Sequence, residues 1–223
     1  MKRLILQVNI DPVINTHETS RTYHYKNDLY QLSERQAIKY ANKCNSDYKQ
    51  ITDCSFLPNK HPIYQRLELF EYEDYDQILY LDSDAIVLND CPNIFELYSD
   101  SEFCAPCDMD WSSSSEYTKK IKQKLLKLYH ASENYNPFCS GVMLINKSFI
   151  NKVRPLYMNY IDEYNTQHDQ GILNRCVVEL GENYTELSSD WGAWYRKGKY
   201  IIHLAAHAKK DFNLVKFTEK YKL

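Results

Sequence analysis

The run QILYL at residues 77–81 leads into two carboxylates one residue apart, Asp82 and Asp84, with Ser83 between them. Five consecutive apolar or weakly polar residues describe a strand buried on both faces of a parallel sheet. At the carboxyl end of such a strand open α/β sheets place their ligands. Residues i and i+2 of a strand project to the same side, so the two carboxylates are expected to face one another. Two negative charges held that way repel unless a cation stands between them. Hard oxygen donors of this kind suit Mg²⁺ or Mn²⁺, which complete their shells with water and substrate phosphates.

The chain has two further Asp-x-Asp triplets, Asp74/Asp76 and Asp108/Asp110. The first precedes the strand and reads as a solvated loop. Cys104 and Cys107 form a solitary C-x-x-C within strand-like sequence. A zinc site would need two more ligands at matching spacing, and a redox pair would open a helix. His130 and His207 have no evident partners, and no G-x-S-x-G or H-E-x-x-H motif occurs. Trp111, Trp191 and Trp194 suit either core packing or the wall of a cleft.

The elements that must position the acidic pair alternate in type. Strands are expected at 3–9, 49–53, 77–81, 102–107, 138–146 and 199–205. Helices are expected at 32–44, 62–75, 119–130, 147–164 and 169–180, with Ser33 as an N-cap and Pro62 opening the second. This alternation predicts an α/β fold with a mainly parallel central sheet flanked by helices. No repeat, linker or low-complexity segment divides it, so a single domain over 1–223 is expected.

All five glycines lie at position 141 or later, so the early strands carry no glycine-rich phosphate loop of P-loop or dinucleotide-binding type. A bound nucleotide would then need its phosphates neutralised another way, most simply by a metal. The net charge of −3 gives no electrostatic reason for a nucleic-acid partner. The N-terminal apolar run is cut by Gln7, Asn9 and Asp11, and no stretch is long enough to span a membrane. Seven irregularly spaced cysteines point to a reducing compartment, and a cytoplasmic location is expected.

Four ordered blocks resemble the retaining glycosyltransferases of family 8: YQRLELFEYEDYDQILYLDSDAIV, FCSGVMLIN, HDQGILN and HLAAHAK, the last similar to an H-x-x-G-x-x-K element. LSSDW at 187–191 is similar to the Leu-x-x-x-Trp segment before it. The resemblance implies the GT-A, Rossmann-like fold and transfer of a sugar from a nucleotide-diphosphate donor, expected to be UDP-linked, with retention of anomeric configuration. It implies that Asp82, Asp84 and His203 hold Mn²⁺ (or Mg²⁺). Arg66, Ser83, Asp108, Lys209 and Asn9 would contact the donor. Asp169 and Gln170 would face the anomeric carbon, Asp169 as nucleophile or electrostatic stabiliser and Gln170 as stabiliser. Asp169 also suits a helix N-cap. The acceptor, whether sugar, protein or lipid, is not legible.

Three positions depart from the family pattern. Cys139 stands where the family places Asn, Ala206 replaces the glycine of H-x-x-G-x-x-K, and Gly192 follows Trp191 where Asn is common. Two other functions stay open at this point. One is a transferase-like binding module without catalysis. The other is a phosphatase of the haloacid dehalogenase type, although that class carries its Asp-x-Asp near the N-terminal strand.

Overall fold

The computed structural model describes residues 1–10, 27–109, 113, 115–161, 169–181, 183–192, 198–204 and 212–223. Lys209, Ala206, His207, Trp111, Trp194 and Asp110 lie outside the described residues.

Six strands build the central sheet: β1 (Arg3–Val8), β2 (Asp47–Ile51), β3 (Gln77–Asp82), β5 (Phe103–Pro106), β6 (Val142–Asn146) and β7 (Thr185–Leu187). Their order across the sheet is β2-β1-β3-β6-β5-β7. β6 runs antiparallel to both its neighbours, and every other pairing is parallel. Five strands therefore share one direction, as a mainly parallel sheet requires.

The side-chain alternation of the strands separates two cores. Leu4, Leu6, Ile78 and Tyr80 face one side, against Tyr64, Leu67 and Phe70 of a 3₁₀ helix (Pro62–Glu71) and against α4 (Lys147–Tyr160) and α5 (Asp169–Glu179). Ile5, Leu79 and Leu81 face the other side, against Ala37, Tyr40 and Ala41 of α1 (Asn27–Cys44) and Phe95 of α2 (Ile94–Leu97). Leu4, Ile5, Leu6, Ile78, Leu79 and Leu81 are all fully buried, which confirms these strands as two-faced core strands. A third helix, α3 (Glu116–Tyr129), packs on α5.

A second, two-stranded sheet pairs β4 (Ala85–Val87) with β8 (Ile201–His203), antiparallel, with Ala85 opposite His203. The Asp82 region is accordingly not one strand. β3 ends at Asp82, the chain turns through Ser83 and Asp84, and β4 leaves in another ladder. A terminal helix, α6 (Leu214–Tyr221), lies by Ile86, Ile202 and Leu204 through Phe217 and Tyr221.

Several sequence expectations change. The helix expected at 62–75 is the 3₁₀ helix ending at Glu71, although Pro62 does open it behind an N-cap at His61. α1 begins at Asn27, so Ser33 is an interior residue and not its N-cap. It is fully buried, and its hydroxyl donates to the Ala85 carbonyl at 2.6 Å and accepts from Gln7 Nε2 at 2.9 Å. The buried carbonyl of the turn to β4 outcompetes a local cap for that hydroxyl.

Candidate active site

Asp82 and Asp84 converge not through strand periodicity but on a third residue. The turn after β3 rotates Asp84, and the β4–β8 ladder carries His203 to it. His203 Nε2 stands 3.3 Å from Asp82 Oδ2 and 3.1 Å from Asp84 Oδ1. His203 is 3% exposed and Asp84 5%. The Asp84 carbonyl accepts the Leu204 amide at 3.0 Å, which locks the two segments together.

This is the one group of three His, Cys, Asp or Glu side chains among the described residues whose ligand atoms all lie within 4.8 Å of one another. Two donors bound at about 2.1 Å and at right angles stand about 3 Å apart, so these separations fit one octahedral divalent cation. His203 Nε2 is buried and makes no hydrogen bond of good geometry, as a nitrogen meant for a metal would be. The donor set, two carboxylate oxygens and an imidazole, suits Mn²⁺ better than the all-oxygen preference of Mg²⁺ or Ca²⁺.

The electrostatics follow from the same contacts. Burial works against the His203 charge, but Asp84 and Asp82 outweigh it and hold the imidazole well above its ordinary pKa. Burial likewise works against ionised Asp82, yet Arg66 and His203 win and hold its carboxyl below the usual range. Without a cation, the cluster is stabilised by the proton on His203. A cation would displace that proton.

Arg66, at the centre of the 3₁₀ helix, joins this cluster to a second one. Its Nη2 stands 3.1 Å from Asp82 Oδ1, and its Nε pairs with Asp169 Oδ2 at the start of α5. Its Nη1 donates to the Ser140 carbonyl at 3.2 Å and to the Ser140 hydroxyl at 2.8 Å. The guanidinium lies beside Tyr80, whose hydroxyl donates to Asp82 Oδ1 at 2.8 Å. Asp169 is 2% exposed, and burial pushes its pKa up to about 6 against the pull of Arg66. Arg66 is the counter-charge that faces this carboxyl.

Gln170 points elsewhere. Its side-chain carbonyl accepts the Ser140 amide at 3.3 Å, which turns its NH₂ toward Asp108. Asp108 follows β5, and burial pushes its pKa up to about 6. Asn9, one residue past β1, shares this carboxyl edge, because the register pairs Val8 with Asp82. Ser83 sits half-buried in the turn between the acids. The structure therefore gathers nine of the ten expected site residues at one sheet edge, the tenth being Lys209. Trp191 is not at the site. It is 2% exposed and packs on Tyr98 and Tyr200. Cys104 and Cys107 carry free thiols, and Cys107 Sγ lies 3.7 Å from the Tyr184 hydroxyl.

The segment Cys139–Ser140–Gly141 threads between these groups. Ser140 serves Arg66, the Gly141 carbonyl accepts the Asp82 amide at 2.8 Å, and Cys139 Sγ lies 3.8 Å from His203 Nδ1. Sequence reasoning missed Asn174, which clamps this segment to α5. Its amide donates to the Phe138 and Gln170 carbonyls, and its oxygen accepts from the Phe138 amide and the Tyr135 hydroxyl. It also missed Gln7, whose NH₂ reaches the Asp82 carbonyl at 3.3 Å while its oxygen accepts from Tyr48. A polar residue facing inward in an otherwise apolar strand was the available signal for Gln7.

The family model "Glycosyl transferase family 8" matches residues 5–222. No curated protein matches the chain by sequence. Among solved structures, a glycosyltransferase involved in the glycosylation of the major capsid of PBCV-1 superposes with TM-score 0.60 at 12% identity, covering 94% of this chain and 98% of that one. An active-site mutant of LgtC gives TM-score 0.51 at 16% identity, covering 97% and 94%. The glycosyltransferase GlyE of Streptococcus pneumoniae TIGR4 gives 0.51 at 16%, covering 100% of this chain and 60% of that one. At these identities the likeness establishes the fold, that of GT-A glycosyltransferases.

Proposed function

The chain belongs to glycosyl transferase family 8, and from that premise we propose that it moves a sugar from a nucleotide-diphosphate donor, UDP-linked, to an acceptor hydroxyl with retention and with a divalent cation. One observation carries the metal-dependent part of this reading: Asp82, Asp84 and His203 bring three ligand atoms within 4.8 Å at the carboxyl edge of the sheet. Membership favours this over a haloacid dehalogenase-type phosphatase, whose acidic pair belongs on the first strand.

Asp82, Asp84 and His203 would hold the cation, and their mixed donor set suits Mn²⁺. When bound, the ion supplies Lewis-acid neutralisation of the departing diphosphate. The turn at Ser83, and Asn9 at the same carboxyl edge of the sheet, take the donor nucleotide. Arg66 is committed to Asp82, Asp169 and Ser140, so its task is to fix these groups and to carry positive charge beside the donor sugar. Asp169, buried and paired with Arg66, acts as an electrostatic stabiliser of positive charge developing at the anomeric carbon, not as a free nucleophile. Gln170 and Asp108, joined to one another, present the polar wall to the transferred sugar.

The test is a panel of nucleotide sugars with and without Mn²⁺, read by release of free nucleoside diphosphate and by thermal shift. Mn²⁺-dependent turnover of one donor supports the proposal. Donor binding without turnover under any metal points to the binding-module function. Release of phosphate from p-nitrophenyl phosphate with no response to nucleotide sugars would overturn it.

A further inference from the structure

We propose that Cys139 is a positioning residue that fixes the His203 imidazole by accepting a hydrogen bond from its Nδ1, so that Nε2 alone is offered to a divalent cation. The inference rests on the metal-site function proposed for Asp82, Asp84 and His203. It is suggested by the two ends of one ring. Nε2 faces both carboxylates, and Nδ1 faces the Cys139 sulfur at 3.8 Å, within reach of a hydrogen bond to sulfur. Both residues are buried, Cys139 to 2% and His203 to 3% exposure, so water does not compete for Nδ1.

The backbone holds the sulfur in place. The Cys139 amide donates to the Pro106 carbonyl at 2.9 Å, tying the segment to the end of β5. Two residues on, the ring lies in the space that a side chain on Gly141 would need. A neutral imidazole that ligates through Nε2 must carry its proton on Nδ1, and that proton needs an acceptor. Metal-bound histidines ordinarily give this proton to a carboxylate or a carbonyl. Here the sulfur is positioned to take it. Sulfur accepts weakly, which leaves the imidazole less electron-rich than a carboxylate partner would.

The experiment measures Mn²⁺ affinity of the metal-stripped protein, by the electron paramagnetic resonance of free Mn²⁺, in the parent, Cys139→Val, Cys139→Ser and, as a control, Cys91→Val. Loss of an outer partner of this kind weakens metal binding about 10–100-fold. Cys139→Val is expected to show that loss with little change in the melting temperature of the stripped protein. Cys139→Ser, whose hydroxyl can still accept, is expected to recover part of it, and Cys91→Val to match the parent. Equal Mn²⁺ affinity in parent and Cys139→Val overturns the role of Cys139 and leaves the metal site standing. Failure of the parent to bind Mn²⁺ at one equivalent overturns the metal site and this inference together. Should Cys139→Val not fold, Cys139→Ala decides by the same comparison.

Discussion

A methyl group on Gly141 would stand 2.2 Å from Cε1 of His203, 2.7 Å from its Nε2 and 2.8 Å from Oδ2 of Asp82. The glycine therefore belongs to the Asp82–Asp84–His203 cluster by virtue of having no side chain. Gly141→Ala must displace the ring or the strand. Overpacking of this kind costs about 1–3 kcal/mol. The larger expected effect is on the site: Mn²⁺ affinity should fall at least about tenfold, measured by titration alongside urea unfolding. Unchanged affinity would mean that His203 does not ligate from this position.

Asp84→Asn keeps the volume of the side chain and removes one of the cluster's negative charges. We expect loss of Mn²⁺-dependent transfer and of the thermal stabilisation that Mn²⁺ gives the parent. That stabilisation amounts to about 2.7 kcal/mol at one hundred times the dissociation constant, and a chelator should reverse it. If Asp84→Asn retains both activity and Mn²⁺ response, the ligand assignment fails.

Arg66 supplies the cation that meets Asp169, and both side chains are under 10% exposed. Arg66→Met should destabilise the fold by about 3–5 kcal/mol, because it leaves a carboxylate buried without that counter-charge. The double variant Arg66→Met/Asp169→Leu should regain most of that stability while remaining inactive. Urea midpoints of the single and double variants separate the two effects, and equal midpoints would show that the pair is not energetically coupled.

The pH dependence through Asp108 has a definite sign. Its pKa is raised from 3.8 to about 6 in the folded protein. Between about pH 4 and 6 the folded state binds this proton and the unfolded chain does not, so stability from this group is full below about pH 4 and is lost as pH rises through 6. Asp108→Asn cannot lose a proton. The stability of the parent relative to that variant should therefore fall between pH 4 and 7, as followed by urea midpoints at each pH. A difference independent of pH would place Asp108 in contact with solvent.

The local signals in the chain carried the reading of the fold a long way. QILYL was recognisable as a two-faced strand because burial on both sides leaves no polar alternation, and the structure buries every one of these residues at 1% or less. Elements whose form depends on distant partners were less legible. A hydroxyl such as Ser33 reads locally as a cap, yet its partners are Gln7 and Ala85, 26 and 52 residues away. Likewise the 3₁₀ geometry around Arg66 is accompanied by contacts 74 residues off, at Ser140.

Residue type and order pointed toward a chemistry: two carboxylates after a buried strand and no glycine loop for phosphates suggested a cation, and the resemblance to the family added the late histidine and the basic residue on the preceding helical segment. The acidic pair, its strand and the missing glycines are properties of composition and local periodicity; the roles expected of His203 and Arg66 came from the resemblance. How the groups meet was settled by the folded chain. Folding placed Asp82 and Asp84 on either side of a turn, brought His203 to them through the β4–β8 ladder, turned Asp169 onto Arg66, and set Gly141 and Cys139 against the imidazole. Apart from the Asp82–Asp84 turn, each of these contacts joins segments far apart in the chain. Their geometry is set by strand register and packing, to which no local stretch of sequence has access.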